Sequence, residues 1–231
     1  MISKEKLVEL YKKQNLTAFE ISEVLKVKQE VVISLLKEYE IDTNPTLKKY
    51  RLVRGIPMTD EQRQFVVGLL IGNNCRLIAK GKHGFCLRIV SKSKDHLLWV
   101  KTVLGNYINV INNDKDGYWC ETAKLNDFAF FNKLFYYNNK KVIREELADY
   151  LTFFGLAAWF SESASSFKES IRFSTFKFTL EEQTILQRIL KVNFGINSKI
   201  CEYTKNELKY YYISINKRNS QILIQKIKQF H

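Results

Sequence analysis

The 231-residue sequence predicts an α+β fold: two tandem α-β-β-α-β-β-α repeats behind a small all-α N-terminal domain. Three observations carry this. After residue 58, an apolar helix followed by paired strand-like runs and amphipathic helices occurs twice, with Gly68 and Ala158 in equivalent places 90 residues apart. Residues 4–39 show only helical periodicity. The only two prolines, Pro45 and Pro57, bracket a short basic segment between these regions, and proline stops helices because it lacks a backbone N–H. The boundaries are 1–44 for the N-terminal domain, 45–57 for the linker, 58–141 for repeat 1 and 142–231 for repeat 2.

In the N-terminal domain, Lys4–Lys13 presents Leu7, Leu10 and Tyr11 at helical spacing. Thr17–Leu25 follows, and Lys28–Tyr39 is third, with Val31, Val32, Leu35 and Leu36 as its buried face. The stretch 16–41 resembles a helix-turn-helix module, with Ile21, Leu25, Val27, Val32 and Leu35 at its apolar positions. The third helix would then be the recognition helix, with Lys28, Gln29, Ser34 and Lys37 outward. Lys26 occupies a turn position where glycine is common, and Glu30 and Glu38 would face phosphates badly. DNA contact and contact with a protein partner both stay open for this module. The linker cations Lys48, Lys49, Arg51 and Arg54 either track phosphates or keep a connector soluble.

Repeat 1 opens with a helix capped by Thr59, and Gln62 completes a capping box. Asp60 and Glu61 complement the positive helix end. Strands follow at Cys75–Lys80 and Phe85–Ser91, a helix near Asp95–Leu104, strands near Tyr107–Asn113 and Gly117–Ala123, and a helix near Asp127–Tyr136. Repeat 2 runs from a helix at Thr152–Ser163 through a strand at Ser170–Phe176 and a helix at Leu180–Val192. Strands at Ser198–Tyr203 and Leu208–Ile215 and a helix at Ser220–Phe230 complete it. Gly68, Gly72, Ala157 and Ala158 are small enough to let the two opening helices approach closely as a pseudo-twofold pair.

Thirty-seven Lys and Arg against twenty-four Asp and Glu give a net charge of +13. Residues 1–45 hold seven lysines, no arginine and eight acids, a net −1, so the remaining residues carry +14. That excess points to a polyanionic partner, nucleic acid rather than membrane, engaged mainly downstream of Pro45. A hydrophobic fraction of 45% excludes a mostly disordered chain. No uncharged apolar run of about 18 residues occurs, so no membrane span is expected, and a cytoplasmic, nucleoid-associated protein is the default. Cys75, Cys86, Cys120 and Cys201 are too widely spaced for a metal knuckle and read as reduced, mostly packed thiols.

Val66-Val-Gly-Leu-Leu-Ile-Gly-Asn-Asn74 and Leu156-Ala-Ala-Trp-Phe-Ser-Glu-Ser-Ala164 resemble the two signature helices of the LAGLIDADG homing endonuclease family in its single-chain, double-motif form. The segments Ser170-Ile-Arg-Phe-Ser-Thr, 179–190 and Phe194-Gly-Ile match as well. The resemblance implies two antiparallel sheets forming a DNA-binding saddle, in a monomer with internal pseudo-twofold symmetry. It also implies an acidic residue at the end of each signature helix, where carboxylates hold divalent metal to activate water and offset charge on the leaving oxygen. Here those positions are Asn73 and Ser163, followed by Asn74 and Ala164 in place of glycine. Glu162 lies one residue earlier, turned by about 100°.

From the resemblance and strand alternation, Arg76, Lys80, Arg88, Arg172, Ser174, Lys199 and Tyr203 are expected to face DNA, with Lys82 and His83 at a hairpin tip. Arg76, Arg88 and Arg172 are the expected base readers, and the lysines are expected to serve phosphates. The reading is a sequence-specific double-stranded DNA-binding protein, a transcriptional regulator on an inactive nuclease scaffold with no catalytic residue, metal or cofactor. Two alternatives stand beside it: an active homing endonuclease using Mg²⁺ in an unusual site, and an intron maturase binding RNA.

Overall fold

A computed structural model describes residues 2–13, 16, 18–41, 57–80, 84–125 and 127–230. Thr17, the linker cations Lys48, Lys49, Arg51 and Arg54, and the tip residues Lys82 and His83 lie outside the described residues. The chain forms two compact units, Met1–Leu52 and Val53–His231.

In the first unit, α1 (Lys4–Val8) runs into a π-helical turn over Glu9–Lys13, followed by α2 (Ala18–Leu25) and α3 (Gln29–Glu38). Ser3 caps α1 by accepting from the Lys6 N–H. Leu7, Leu10, Tyr11, Ile21, Val32, Leu36 and Ile41 form the core, and Leu25, Val27 and Leu35 pack against it. Val31, expected on the buried face, is 44% exposed. Val32 and Leu36, four residues apart, define the inward stripe, and Val31 sits a helical step away from it. Lys26 has φ +53°, the left-handed turn in which glycine is common, and the Val27 N–H closes that turn on the Ser22 carbonyl. Lys28, Gln29, Ser34 and Lys37 are exposed, as are Glu30 and Glu38.

The second unit contains the repeats. Repeat 1 is α4 (Asp60–Ile71), β1 (Cys75–Ala79), β2 (Phe85–Ser91), α5 (Lys94–Leu104), β3 (Ile108–Asp114), β4 (Gly117–Thr122) and α6 (Phe128–Phe135). A two-residue hairpin follows, β5 (Tyr136–Tyr137) and β6 (Lys140–Lys141). Repeat 2 is α7 (Phe153–Ser163), β7 (Ala164–Phe167), β8 (Ser170–Phe173), α8 (Leu180–Phe194), β9 (Ser198–Lys205), β10 (Leu208–Ile215) and α9 (Lys217–Ile227). Each repeat builds a four-stranded antiparallel sheet of the same topology, β1-β2-β4-β3 and β7-β8-β10-β9.

The capping box at Thr59 and Gln62 starts α4, and a second one at Thr179 and Glu182 starts α8. Strand β7 was not foreseen. Its hairpin turns on Lys168 and Glu169, both at positive φ, and neither residue type announces such a turn. The β5–β6 hairpin was also missed, because strands of two residues carry no periodicity. The last helix begins at Lys217, capped by Asn216, three residues before the expected start.

The two opening helices pack closely. A Cβ placed on Gly68 would lie 1.8 Å from the Gly155 carbonyl oxygen and 2.9 Å from the Ala158 Cβ. Around this crossing Phe65 meets Trp99 edge-on at 4.8 Å, and Trp159 packs on Phe173 at 4.3 Å. Helices α5 and α6 cover one face of the first sheet, and α8 and α9 cover one face of the second. Among the described residues, the other face of each sheet carries no helix of its own repeat, which positions the site. No helix among the described residues is long and apolar enough to cross a membrane.

Candidate functional site

On the first sheet, Leu77, Leu87, Ile89 and Cys120 fall on the helix-covered side by strand alternation, and Arg76, Arg88, Trp119 and Glu121 fall on the open side. The strand-period assignments of Arg76, Lys80 and Arg88 therefore match their placement. Their environments differ. Arg76 is exposed. Arg88 donates from Nη1 to Glu121 Oε1 at 3.1 Å, and its guanidinium lies 4.4 Å from the Trp119 ring centroid. Lys80 Nζ stands 3.4 Å from Glu121 Oε2. Glu121, opposite Arg88 in the register, thus engages two of the expected contact residues. Nothing in the linear spacing shows that pairing.

The second sheet buries Ile171, Phe173, Ile213 and Ile215. Its open face carries Ser165, Arg172, Ser214 and Lys199 side by side in one register row. Two residues along β10 stands Tyr212, and two further Tyr210 pairs with Tyr203. Arg172 lies 3.6 Å from the Phe167 ring centroid. A cavity of about 380 Å³ opens among Arg172, Ser174, Phe176, Tyr203 and Tyr212. Arg172, Ser174, Lys199 and Tyr203 thus share the predicted face, and the other rings join them only through strand pairing.

Between the sheets lie the ends of α4 and α7. Helix α4 ends at Ile71, so Asn73 sits beyond it. Its Nδ2 donates to the Ser174 carbonyl at 2.6 Å and to Ser174 Oγ at 3.0 Å. Ser163 is buried, and its hydroxyl donates to the Trp159 carbonyl at 3.1 Å. Asn74 Nδ2 donates to the Glu162 carbonyl at 3.2 Å.

The Glu162 side chain has no exposed surface and packs against Gly72, whose Cβ, if present, would lie 2.5 Å from that of Glu162. Neither carboxyl oxygen has a hydrogen-bond partner among the described residues, and His96 Nε2 stands 3.6 Å from Oε1. Burial pushes this carboxyl up to about 8, opposed chiefly by the nearby charge of Lys141.

Two lysines cap the carbonyl end of α4. Lys141 Nζ donates to Leu70 O at 2.7 Å, Gly72 O at 3.2 Å and Cys75 O at 2.6 Å, and Lys177 Nζ donates to Gly72 O at 2.6 Å. Cations suit the negative end of a helix. Burial lowers both ammonium groups. Lys177, an exposed residue whose ammonium donates to the Gly72 carbonyl, falls to about 6, through desolvation first and Lys141 beside it second. Neither lysine was singled out in the sequence, because they stand 36 residues apart with no shared motif.

The residues present do not fit a divalent metal. Asn73 spends its amide on Ser174, Ser163 offers a buried neutral hydroxyl, and Glu162 is enclosed beside two lysines. Among the described residues no three His, Cys, Asp or Glu side chains are placed to hold a metal ion. Cys75, Cys86 and Cys120 are buried, and burial pushes the Cys120 thiol up to about 12, so they are packed protonated thiols rather than nucleophiles.

Paired sheets of identical topology, joined by a close helix pair with Asn73 just past the end of one helix and Ser163 at the end of the other, define a class. The chain belongs to the LAGLIDADG DNA endonuclease family, which matches residues 63–223. It is 23% identical over 189 residues to the cytochrome b mRNA maturase bI2 of Debaryomyces hansenii, covering 75% of this chain and 71% of that protein. Among solved structures it resembles the homing endonuclease I-WcaI bound to its DNA recognition sequence, with a TM-score of 0.68 and 18% identity over 82% of this chain and 89% of that one. It also resembles a variant of the homing endonuclease I-DmoI in complex with its target DNA in the presence of manganese, with a TM-score of 0.51 and 14% identity over 74% and 94%. These structural likenesses show the α+β double-repeat fold. The expected transcriptional regulator is corrected by these findings: the family is one of DNA endonucleases, and the relatives described are a maturase and homing endonucleases.

Proposed function

We propose that this protein binds double-stranded nucleic acid through the open faces of its two sheets, in the manner of its homing-endonuclease neighbours, and acts as an intron maturase. The observation that carries the maturase reading is the centre. Asn73, Ser163, Lys141 and Lys177 are tied to backbone carbonyls of the surrounding elements and Glu162 is enclosed, which suits a rigid joint between two gripping surfaces rather than a metal cradle. The maturase relative matches over 75% of this chain.

Binding of this kind rests on cations facing phosphates and needs no metal. Arg76, Arg172 and Lys199 are the side chains best placed for it, and Arg88 with Lys80 forms a pre-ordered group around Glu121. The internal pseudo-twofold lets a single chain supply both surfaces. Lys28, Gln29, Ser34 and Lys37 offer the N-terminal unit's own contact face.

The second reading is a homing endonuclease, favoured by the fold match to I-WcaI. One experiment separates the two. The protein is titrated in EDTA against a self-splicing intron RNA and a duplex DNA spanning the matching exon junction, and the DNA is then incubated with Mg²⁺ or Mn²⁺. The maturase reading expects tight RNA binding in EDTA and faster splicing. Metal-dependent cutting of the DNA, without an effect on splicing, would establish the second reading.

A further inference from the structure

The two open faces are chemically unequal. Among the described residues the first presents Trp119, already covered by Arg88. The second presents a continuous set of rings. Tyr203 and Tyr210 stack at 5.3 Å, Phe176 meets Tyr203 edge-on at 5.1 Å and stands 6.1 Å from Tyr212. Phe176 is 40% and Tyr203 36% exposed. The sheet's core is already filled on its other face by Ile171, Phe173, Ile213 and Ile215, so these rings are not needed to close it.

We propose that this face is a stacking platform for unpaired bases of an RNA strand, and the proposal rests on the maturase reading. Charge and spacing select the occupant. Arg172 and Lys199 share a register row, and the Tyr212 and Tyr203–Tyr210 rows lie two and four residues further along β10. Two residues of strand span about 7 Å. A nucleic-acid strand laid across β8, β10 and β9, parallel to these rows, therefore sets its phosphates on the cationic row and its bases on the aromatic ones. Duplex bases are stacked on each other and offer no free ring face. Unpaired loops and bulges do, and aromatic stacking serves every base type. The cavity beneath Phe176 is lined by Arg172, Ser165 and Ser174, which supply a cation and hydroxyls to the edge of an inserted base.

The test uses the full chain and a single-stranded RNA dodecamer carrying one central 2-aminopurine, with a blunt duplex DNA and the same strand as DNA for comparison. Binding should quench the 2-aminopurine fluorescence. Tyr203→Leu and Phe176→Leu should each weaken the RNA strand by about fivefold to a hundredfold, and Tyr203→Trp should retain affinity. Losses on duplex DNA should be smaller than those on the RNA strand, and an unchanged thermal melting point reports that the variants fold. Unchanged RNA affinity in both leucine variants, or equal losses on strand and duplex, overturns the platform. Equal affinity and equal losses on the DNA strand overturn the RNA assignment. Loss of splicing activity by the wild type in the intron assay, with the Tyr203 effect intact, would fault the maturase reading and leave the platform standing.

Discussion

Gly68→Ala is expected to destabilise the second unit by about 3 kcal/mol or more, because the added methyl meets backbone rather than a movable side chain. Its Cβ would sit 1.8 Å from the Gly155 oxygen and 2.6 Å from the Gly155 carbonyl carbon. Neither helix can yield locally. Each is tied through its neighbours, and Thr152 Oγ1 donates to Gln64 Oε1 at 2.9 Å one turn away. The pair must separate, and the sheets anchored to its two ends move with it. Gly155→Ala should also destabilise, since its Cβ would lie 2.8 Å from the Gln64 carbonyl oxygen. Val192→Ala, at a 74% exposed helix position, should stay within about 0.5 kcal/mol. Urea unfolding of the three variants measures this. A Gly68→Ala shift below about 1 kcal/mol would show that the helices do not cross this closely.

Glu162→Gln is expected to stabilise the protein increasingly as pH rises from 5 to 8. The carboxyl titrates near 8 when folded, against 4.5 for an ordinary glutamate. Between those values the folded chain holds a proton that the unfolded chain releases, so the wild type loses stability as pH rises through this window. The carboxamide has no such proton to lose. At pH 5 the two proteins should melt alike, and above pH 8 the variant should lead by a margin on the order of a few kcal/mol. Lys177 acts in the opposite direction. Its folded value near 6 lies below the usual 10.5, so its contribution is lost as pH falls towards 6. It is present in both proteins, and removing the Glu162 charge lowers it further. Thermal melts from pH 5 to 9 provide the measurement, and parallel profiles would show that Glu162 is not enclosed.

This centre explains why a motif can be read correctly and its chemistry only in part. The absence of carboxylate at Asn73 and Ser163 is visible in the linear sequence. What replaces it is not. Lys141 reaches the α4 carbonyls from the β5–β6 hairpin of its own repeat, and Lys177, from beyond β8, reaches them only once the two repeats are joined.

The sequence by itself determined what depends on short-range rules. Capping residues set the start of α4, strand alternation assigned Arg76, Arg88 and Arg172 to the open faces, and duplication 90 residues apart set the repeats. The charge split between the N-terminal region and the rest needed no structure at all. The tertiary structure alone decided which groups meet across long separations. Gly155 became the seat for Gly68, Glu121 took Arg88 and Lys80, and Phe176, Tyr203 and Tyr212 became one surface. The physical reason is that periodicity fixes a side chain's direction within its own element, and only strand order and helix crossing fix what lies opposite. In the second sheet, β10 lies between β8 and β9, and that order gathers the rings from separate strands onto one face.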